Sequence, residues 1–186
     1  GDGDFPGHDF IIGSGPTGLL WRYHSQRRRI DAQDQLALEF GAAFRHYHAN
    51  HTCTILTGKP DPLHLRMHEA AVETLLATRE ALKPGHPIGE AFAAHARVLD
   101  AHGFAGKRMH ACGYSLGAAF IPNWMDWPML YRDNPIIAEP NMVFFITFAI
   151  MDTERAIGIG MGQTVVVTDT GWAPITKAPL ELVVNN

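Results

Sequence analysis

Between Glu39 and Gly58 the chain reads EFGAAFRHYHANHTCTILTG, which carries three histidines, one carboxylate and one thiol. His46 and His48 are two residues apart, so on an extended strand they share a face. With Glu39 they offer two imidazoles and a carboxylate, a donor set that suits a transition metal. Such spacing is a weak signal by itself. His48 alternates in step with Asn50, whereas His51 faces the other way. The pattern marks either a metal site or a place from which a metal site has been lost.

The elements that position these residues are strands and helices in one domain. At 186 residues the chain suits one well-packed unit and is too short for two large ones. Apolar residues make up 46% and charged ones 18%, with 15 Lys and Arg against 19 Asp and Glu, a net charge of −4. Arg27-Arg28-Arg29 is the only dense basic run and lacks interleaved aromatics, so it reads as a solvated strand edge and not a nucleic-acid face. No apolar stretch reaches the length of a membrane span. The opening GDGDFPGHDF is acidic and glycine-rich, unlike a signal peptide. Two cysteines, Cys53 and Cys112, read as reduced thiols of a cytoplasmic protein.

GSGPTG lacks the Lys-Ser/Thr of a phosphate cradle, and no helix clearly follows it. QLALEFG and RHYHANHTCTILTG alternate as partner strands, ended by GKPDP. The spacing predicts a helix from Pro62 to Lys83, with Leu65, Val72, Leu75, Leu76 and Leu82 on one side. A second runs from Ile88 to His102, stopped by Gly103. His64, His68, His95 and His102 read as core or boundary residues of these helices. RMHACGYSLGAAF is extended, and FIPNWMDWPMLYRDNP is an aromatic loop too irregular for a regular element. NMVFFITFAIM and GQTVVVTDTG are strands separated by the turn-like DTERAIGIG. The fold class is α+β, an antiparallel sheet backed by helices.

Several phrases resemble one superfamily, that of methionine aminopeptidase, aminopeptidase P, prolidase and creatinase. LEFGAAFRHYHANHTCTILTG resembles its paired strands, HACGYSLG its Gly-His-x-x-Gly, EPNMVFFI its Pro-Gly-Met-Val-Phe strand and GQTVVVTDTGWAPIT its closing strand. The match runs over about residues 13–177. The resemblance implies the pita-bread fold, a curved antiparallel sheet backed by helices. The superfamily's first helix pair has no counterpart here, so residues 1–186 are expected to be a C-terminal fragment, or a shortened form that covers its sheet by homodimerising.

The peptidases of that superfamily hold two metal ions with two Asp, one His and two Glu. The matching positions here are Glu39, Asn50, Tyr114, Thr147 and either Gly162 or Gln163. One carboxylate remains, so the resemblance implies a vanished metal site, no cofactor, and a place nearest the metal-free creatinase and ectoine-hydrolase-like branch. RYH, HYHANHT and GYSLGAAFIPNWMDW resemble that branch, although Cys53 stands where its Arg is expected. The implied function is hydrolysis of a C–N bond in a small polar molecule by a histidine acid/base. In that reading His24 is the acid/base, with Arg22 competing for the position. Glu39 orients it or binds a cationic group, and Tyr114 holds a developing oxyanion. Trp124 and Trp127 wall the pocket, with His48, Asn50 and Thr147 binding substrate. The rival reading is an inactive pita-bread domain that binds peptides or protein partners.

Overall fold

The computed structural model describes residues 2–21 and 27–185. His24 and Arg22 lie outside the described residues. A short strand β1 (Ile11–Ser14) leads into a 3-10 turn over Gly15–Leu19. β2 (Asp34–Phe44) and β3 (Tyr47–Thr57) form an antiparallel hairpin registered from Asp34 opposite Thr57 to Phe44 opposite Tyr47. Its two-residue turn, Arg45-His46, has positive φ at both residues, 50° and 66°. That is the left-handed geometry a tight hairpin demands. His46 therefore sits in the turn and not on the strand, its ring centroid 4.4 Å from that of Phe120. The two-residue period that would align it with His48 does not reach it.

α1 (Pro62–Ala81) starts at Asp61, whose carboxylate accepts from the Leu63 N–H at 2.7 Å, with Pro62 in the first turn. α2 (Gly89–Ala101) follows, and both helices end within two residues of the expected limits. β4 (Ala111–Ser115), β5 (Asp126–Tyr131), β6 (Val143–Asp152), β7 (Ile157–Val167), β8 (Trp172–Pro174) and β9 (Val183–Asn185) complete the chain. The main sheet runs in the order β1-β2-β3-β7-β6-β4-β5. β8 adds to β7, and β9 lies parallel to β3.

Alternation sorts the two faces. Phe144, Ile146, Phe148 and Ile150 of β6 and Ile159, Val165 and Val167 of β7 pack beneath the helices. Burial of each such side chain contributes about 1.5–3 kcal/mol. The opposite, inner face of the same strands carries Phe145 and Thr147, and Gly158, Gly160, Gly162 and Thr164. α1 does not turn all of its large apolar residues inward. Leu65 is 51% exposed and Leu76 43%, while Met67, Ala70, Ala71, Thr74 and Leu75 are buried. Ala70, Ala71 and Thr74 beside the buried Met67 and Leu75 let the helix lie close to α2 and β7, while Leu65 and Leu76 are turned out.

Two stretches depart from expectation. The aromatic segment after Phe120 is not all loop, because Asp126–Tyr131 pairs with β4 as the sheet's edge. Pro128 is tolerated there because an edge strand need not donate on its open side. The turn after β6 is also shorter than DTERAIGIG, since β7 begins at Ile157. Its Gly-Ile alternation is strand chemistry with the glycines facing inward.

Candidate functional site

The sheet register lines up the residues that matter. Glu39 pairs with Thr52, Thr52 with Gly162, and Gly162 with Thr147, one row across β2, β3, β7 and β6. The adjacent row pairs Gly41 with Asn50, Thr164 with Phe145, and Phe145 with Tyr114 of β4. Asn50 and Thr164 are joined by hydrogen bonds, the Asn50 N–H donating to Thr164 Oγ1 at 2.8 Å. Glu39, Asn50, Tyr114, Thr147 and Gly162 thus share the inner face. Gln163 points the other way, accepting from Arg79 Nη1 at 2.7 Å and donating to the Ala178 carbonyl at 2.9 Å. Of the two alternatives for the late position, the register favours Gly162.

The first row is a compact polar knot. Thr52 Oγ1 donates to Glu39 Oε2 at 2.9 Å. Thr147 Oγ1 lies 2.9 Å from Thr52 Oγ1 and 3.3 Å from the same carboxylate oxygen. The two hydroxyls stand on strands separated by β7, and they meet because the residue between them is glycine. A β-carbon on Gly162 would fall 2.8 Å from the Ile146 carbonyl and 2.9 Å from Thr147 Oγ1. Gly162→Ala is therefore expected to push the threonines apart and lower the unfolding free energy by about 2 kcal/mol, measured by urea denaturation. A loss below about 0.5 kcal/mol would mean that the knot tolerates the extra carbon.

This knot lies at a cavity of about 520 Å³. Glu39, Tyr114 and Thr147 line it, with Leu19, Leu20 and Trp21 from the 3-10 turn and its exit on one side. Met109, Met125 and Met129 lie on another. Trp21 packs onto Gly160, where a β-carbon would overlap its ring, and Leu19 lies in contact range over Gly158. The inward glycines of β7 thus make room both for the threonine knot and for the segment over it.

The second row is closed. Trp124 Nε1 donates to Tyr114 Oη at 3.0 Å, and Trp124, Tyr114, Leu116 and Phe145 form a small buried cluster. Trp124 does not line the cavity; its ring and the Asn50 side chain both lie over Gly41. Asn50 is wholly buried, with both side-chain polar atoms lacking a hydrogen-bond partner among the described residues. Trp127, expected beside Trp124 in the pocket, is 60% exposed on β5 and stands apart. Adjacent tryptophans of irregular spacing gave no signal of which one the sheet would swallow.

The histidines do not converge. His48 is buried on the inner face but outside the cavity. Its Nε2 accepts from the Gly7 N–H at 2.8 Å, which places the proton on Nδ1, 3.3 Å from the Gly117 carbonyl. It ties the N-terminal segment to the loop after β4. His51 faces outward, 2.9 Å from the Gly162 carbonyl, and burial lowers its pKa. Burial also raises the Cys53 thiol, which weakens it as a nucleophile at neutral pH. Among the described residues no three His, Cys, Asp or Glu side chains gather as a metal site.

Sequence reasoning missed Thr52, Trp21 and the three methionines. Thr52 was legible from its alternation with Asn50; the others come from segments distant in sequence, with no shared pattern.

Comparison with known proteins adds a relationship. The sequence profile of metallopeptidase family M24 matches residues 1–169. A Xaa-Pro dipeptidase of Pyrococcus furiosus is 26% identical over 177 residues, 95% of this chain and 49% of that protein. An ectoine hydrolase of Halomonas elongata is 26% identical over 149 residues, 78% of this chain and 36% of that one. The solved prolidase of Pyrococcus furiosus superposes with a TM-score of 0.88 at 25% identity, over 95% of this chain and 51% of that one. The chain spans about half the length of the Xaa-Pro dipeptidases it matches.

Proposed function

Because the chain belongs to metallopeptidase family M24 and has its pita-bread fold, we propose that it serves a hydrolase that cleaves a C–N bond of a small molecule without a dinuclear metal centre. One observation carries this reading. The inner-face positions that match the family's ligands hold Glu39, Asn50, Tyr114, Thr147 and Gly162, and they supply one carboxylate.

A metal pair needs bridging carboxylates, and this donor set does not fit one. Thr147 and Thr52 turn their hydroxyls onto Glu39, while Trp124 caps Tyr114. Thr147 is thus tied to Glu39 and Tyr114 to Trp124, while the Asn50 side chain finds no partner among the described residues.

What remains suits electrostatic and proton-transfer chemistry. Hydroxyl donors fix the direction of the Glu39 carboxylate. A phenol that accepts an indole N–H donates its own proton more strongly, which suits Tyr114 to a developing oxyanion. The acid/base is assigned to His24, which follows Trp21 closely in sequence, and Trp21 lines the cavity.

The test is metal content and turnover measured together. Protein dialysed against manganese, zinc, cobalt and iron in turn is expected to retain no stoichiometric ion by mass spectrometry. Chelator-treated protein is expected to hydrolyse a member of a panel of cyclic and guanidino amides, and His24→Ala to lose that activity by about a hundredfold or more. Retention of about two ions per chain, released in Glu39→Ala, would overturn the metal-free reading. Peptide binding without turnover would turn the assignment to a binding domain.

A further inference from the structure

We infer that the outer face of β1, β2 and β3 is a self-association surface, on which two copies of this chain pack sheet against sheet about a two-fold axis near Phe40. The proposal is independent of the cavity and of any reaction there.

Strand pairing builds the face. Phe40 stands in the middle of β2, with the rings of Phe10 and His51 edge-on to its own at 6.4 and 5.7 Å between centroids. Leu36 and Leu38 lie along the strand on one side of it, and Phe44, opposite Tyr47, on the other. From the Leu36 row to the Phe44 row, the outward positions of the three strands hold no Asp, Glu, Lys or Arg. Among the described residues the two helices pack on β4, β5, β6 and β7, the far half of the sheet. Phe10, Phe40, Phe44 and Tyr47 are left between 41% and 67% exposed.

Size and charge select the occupant. Four half-exposed rings offer about 100 Å² each. The aliphatic side chains between them bring the patch to about 600 Å², the top of the range for a monomer. Two copies would bury about 1,200 Å² together, the size at which specific interfaces begin. Because the face carries no charge, a second copy meets no like-charge repulsion, and a charged partner finds no complement. Antiparallel sheets pack face to face about 10 Å apart. A two-fold at the centre of the patch then sets each Phe40 against its counterpart.

Sedimentation equilibrium tests this on the unmodified chain at micromolar concentration. It is expected to give twice the chain mass. Phe40→Lys is expected to give the mass of one chain, its dissociation constant raised about a hundredfold or more. Should that variant fail to fold, Ala42→Lys sets the same charge on the face at a small exposed residue and is expected to act alike. A monomeric unmodified chain would overturn the proposal and leave the face to a different partner. So would a dimer that both lysine variants leave intact, or open-ended aggregates in place of a closed pair. Turnover and metal content are separate readouts: their failure removes the hydrolase and leaves the dimer, and a monomer with turnover does the reverse.

Discussion

Replacing Gln35 by leucine is expected to lower the unfolding free energy by about 3–5 kcal/mol, read as a fall in the urea midpoint at unchanged slope. Gln35 is buried near the start of β2 and uses both ends of its amide. Its Nε2 donates to the Gly15 and Ala156 carbonyls, each at 2.8 Å. Its Oε1 accepts from the Gly158 N–H at 3.0 Å and faces His64 Nε2 at 2.8 Å. One side chain therefore joins the 3-10 turn, the start of β7 and the first turn of α1. Leucine would leave four polar groups without this partner, and such a group loses about 1–3 kcal/mol when buried unpaired. Gln35→Glu keeps the acceptors but sets a carboxylate oxygen against two carbonyls, so it is expected to lose a comparable amount at neutral pH. A loss under about 1 kcal/mol for Gln35→Leu would show that water entering from the adjoining groove replaces the amide.

The consequence reaches the cavity. Gly15 begins the turn that ends in Leu19, and Leu19, Leu20 and Trp21 form one wall. Gln35 fixes that turn from beneath, so its loss is expected to loosen the wall before it disturbs the helices.

How much of this was legible in the sequence follows from how local each signal is. The β2–β3 hairpin shows in its alternation, because Gln35, Ala37, Glu39, Gly41 and Ala43 face one way on every second residue. α2 shows equally well, since Ile88, Phe92, His95, Val98 and Leu99 are buried at helical spacing. α1 is harder, because hydrophobicity ranks Leu65 and Leu76 above Ala70, Ala71 and Thr74, whereas a close helix–sheet contact selects for size. Gly158, Gly160 and Gly162 look like a turn until Leu19, Trp21 and the threonine pair are seen in the space their missing side chains leave. The candidate site divides the same way. Glu39, Asn50 and Thr147 are placed by strand register, which sequence phrases reveal. The closure of one half by Trp124, the exposure of Trp127 and the turn at His46 depend on chain direction through irregular segments, where no period applies.

His95 carries the second large effect, and it is one of pH. Its ring is wholly buried between Phe92 and Phe148, with centroids at 5.6 and 4.8 Å, and neither ring nitrogen has a hydrogen-bond partner among the described residues. Burial lowers its pKa to about 4; the Arg108 guanidinium adds to this and Asp100 opposes it. The unfolded chain titrates near 6.5. Above that pH both states hold the imidazole neutral and it contributes no slope. Between 6.5 and about 4 the unfolded chain binds a proton that the folded chain refuses, so stability falls with pH by about 1.4 kcal/mol per unit, about 3 kcal/mol in all. Other histidines lowered by burial, His51, His64 and His68, act in the same direction. Their share cancels when the unmodified chain is compared with His95→Leu, which removes two orphaned nitrogens and is expected to be no less stable at pH 7. Urea midpoints at pH 7 and 5 should show the advantage of His95→Leu widening by about 2 kcal/mol on acidification. Parallel pH dependences in the two proteins would mean that His95 finds a proton acceptor or water in the folded core, and that the contact between α2 and β6 is looser than its packing indicates.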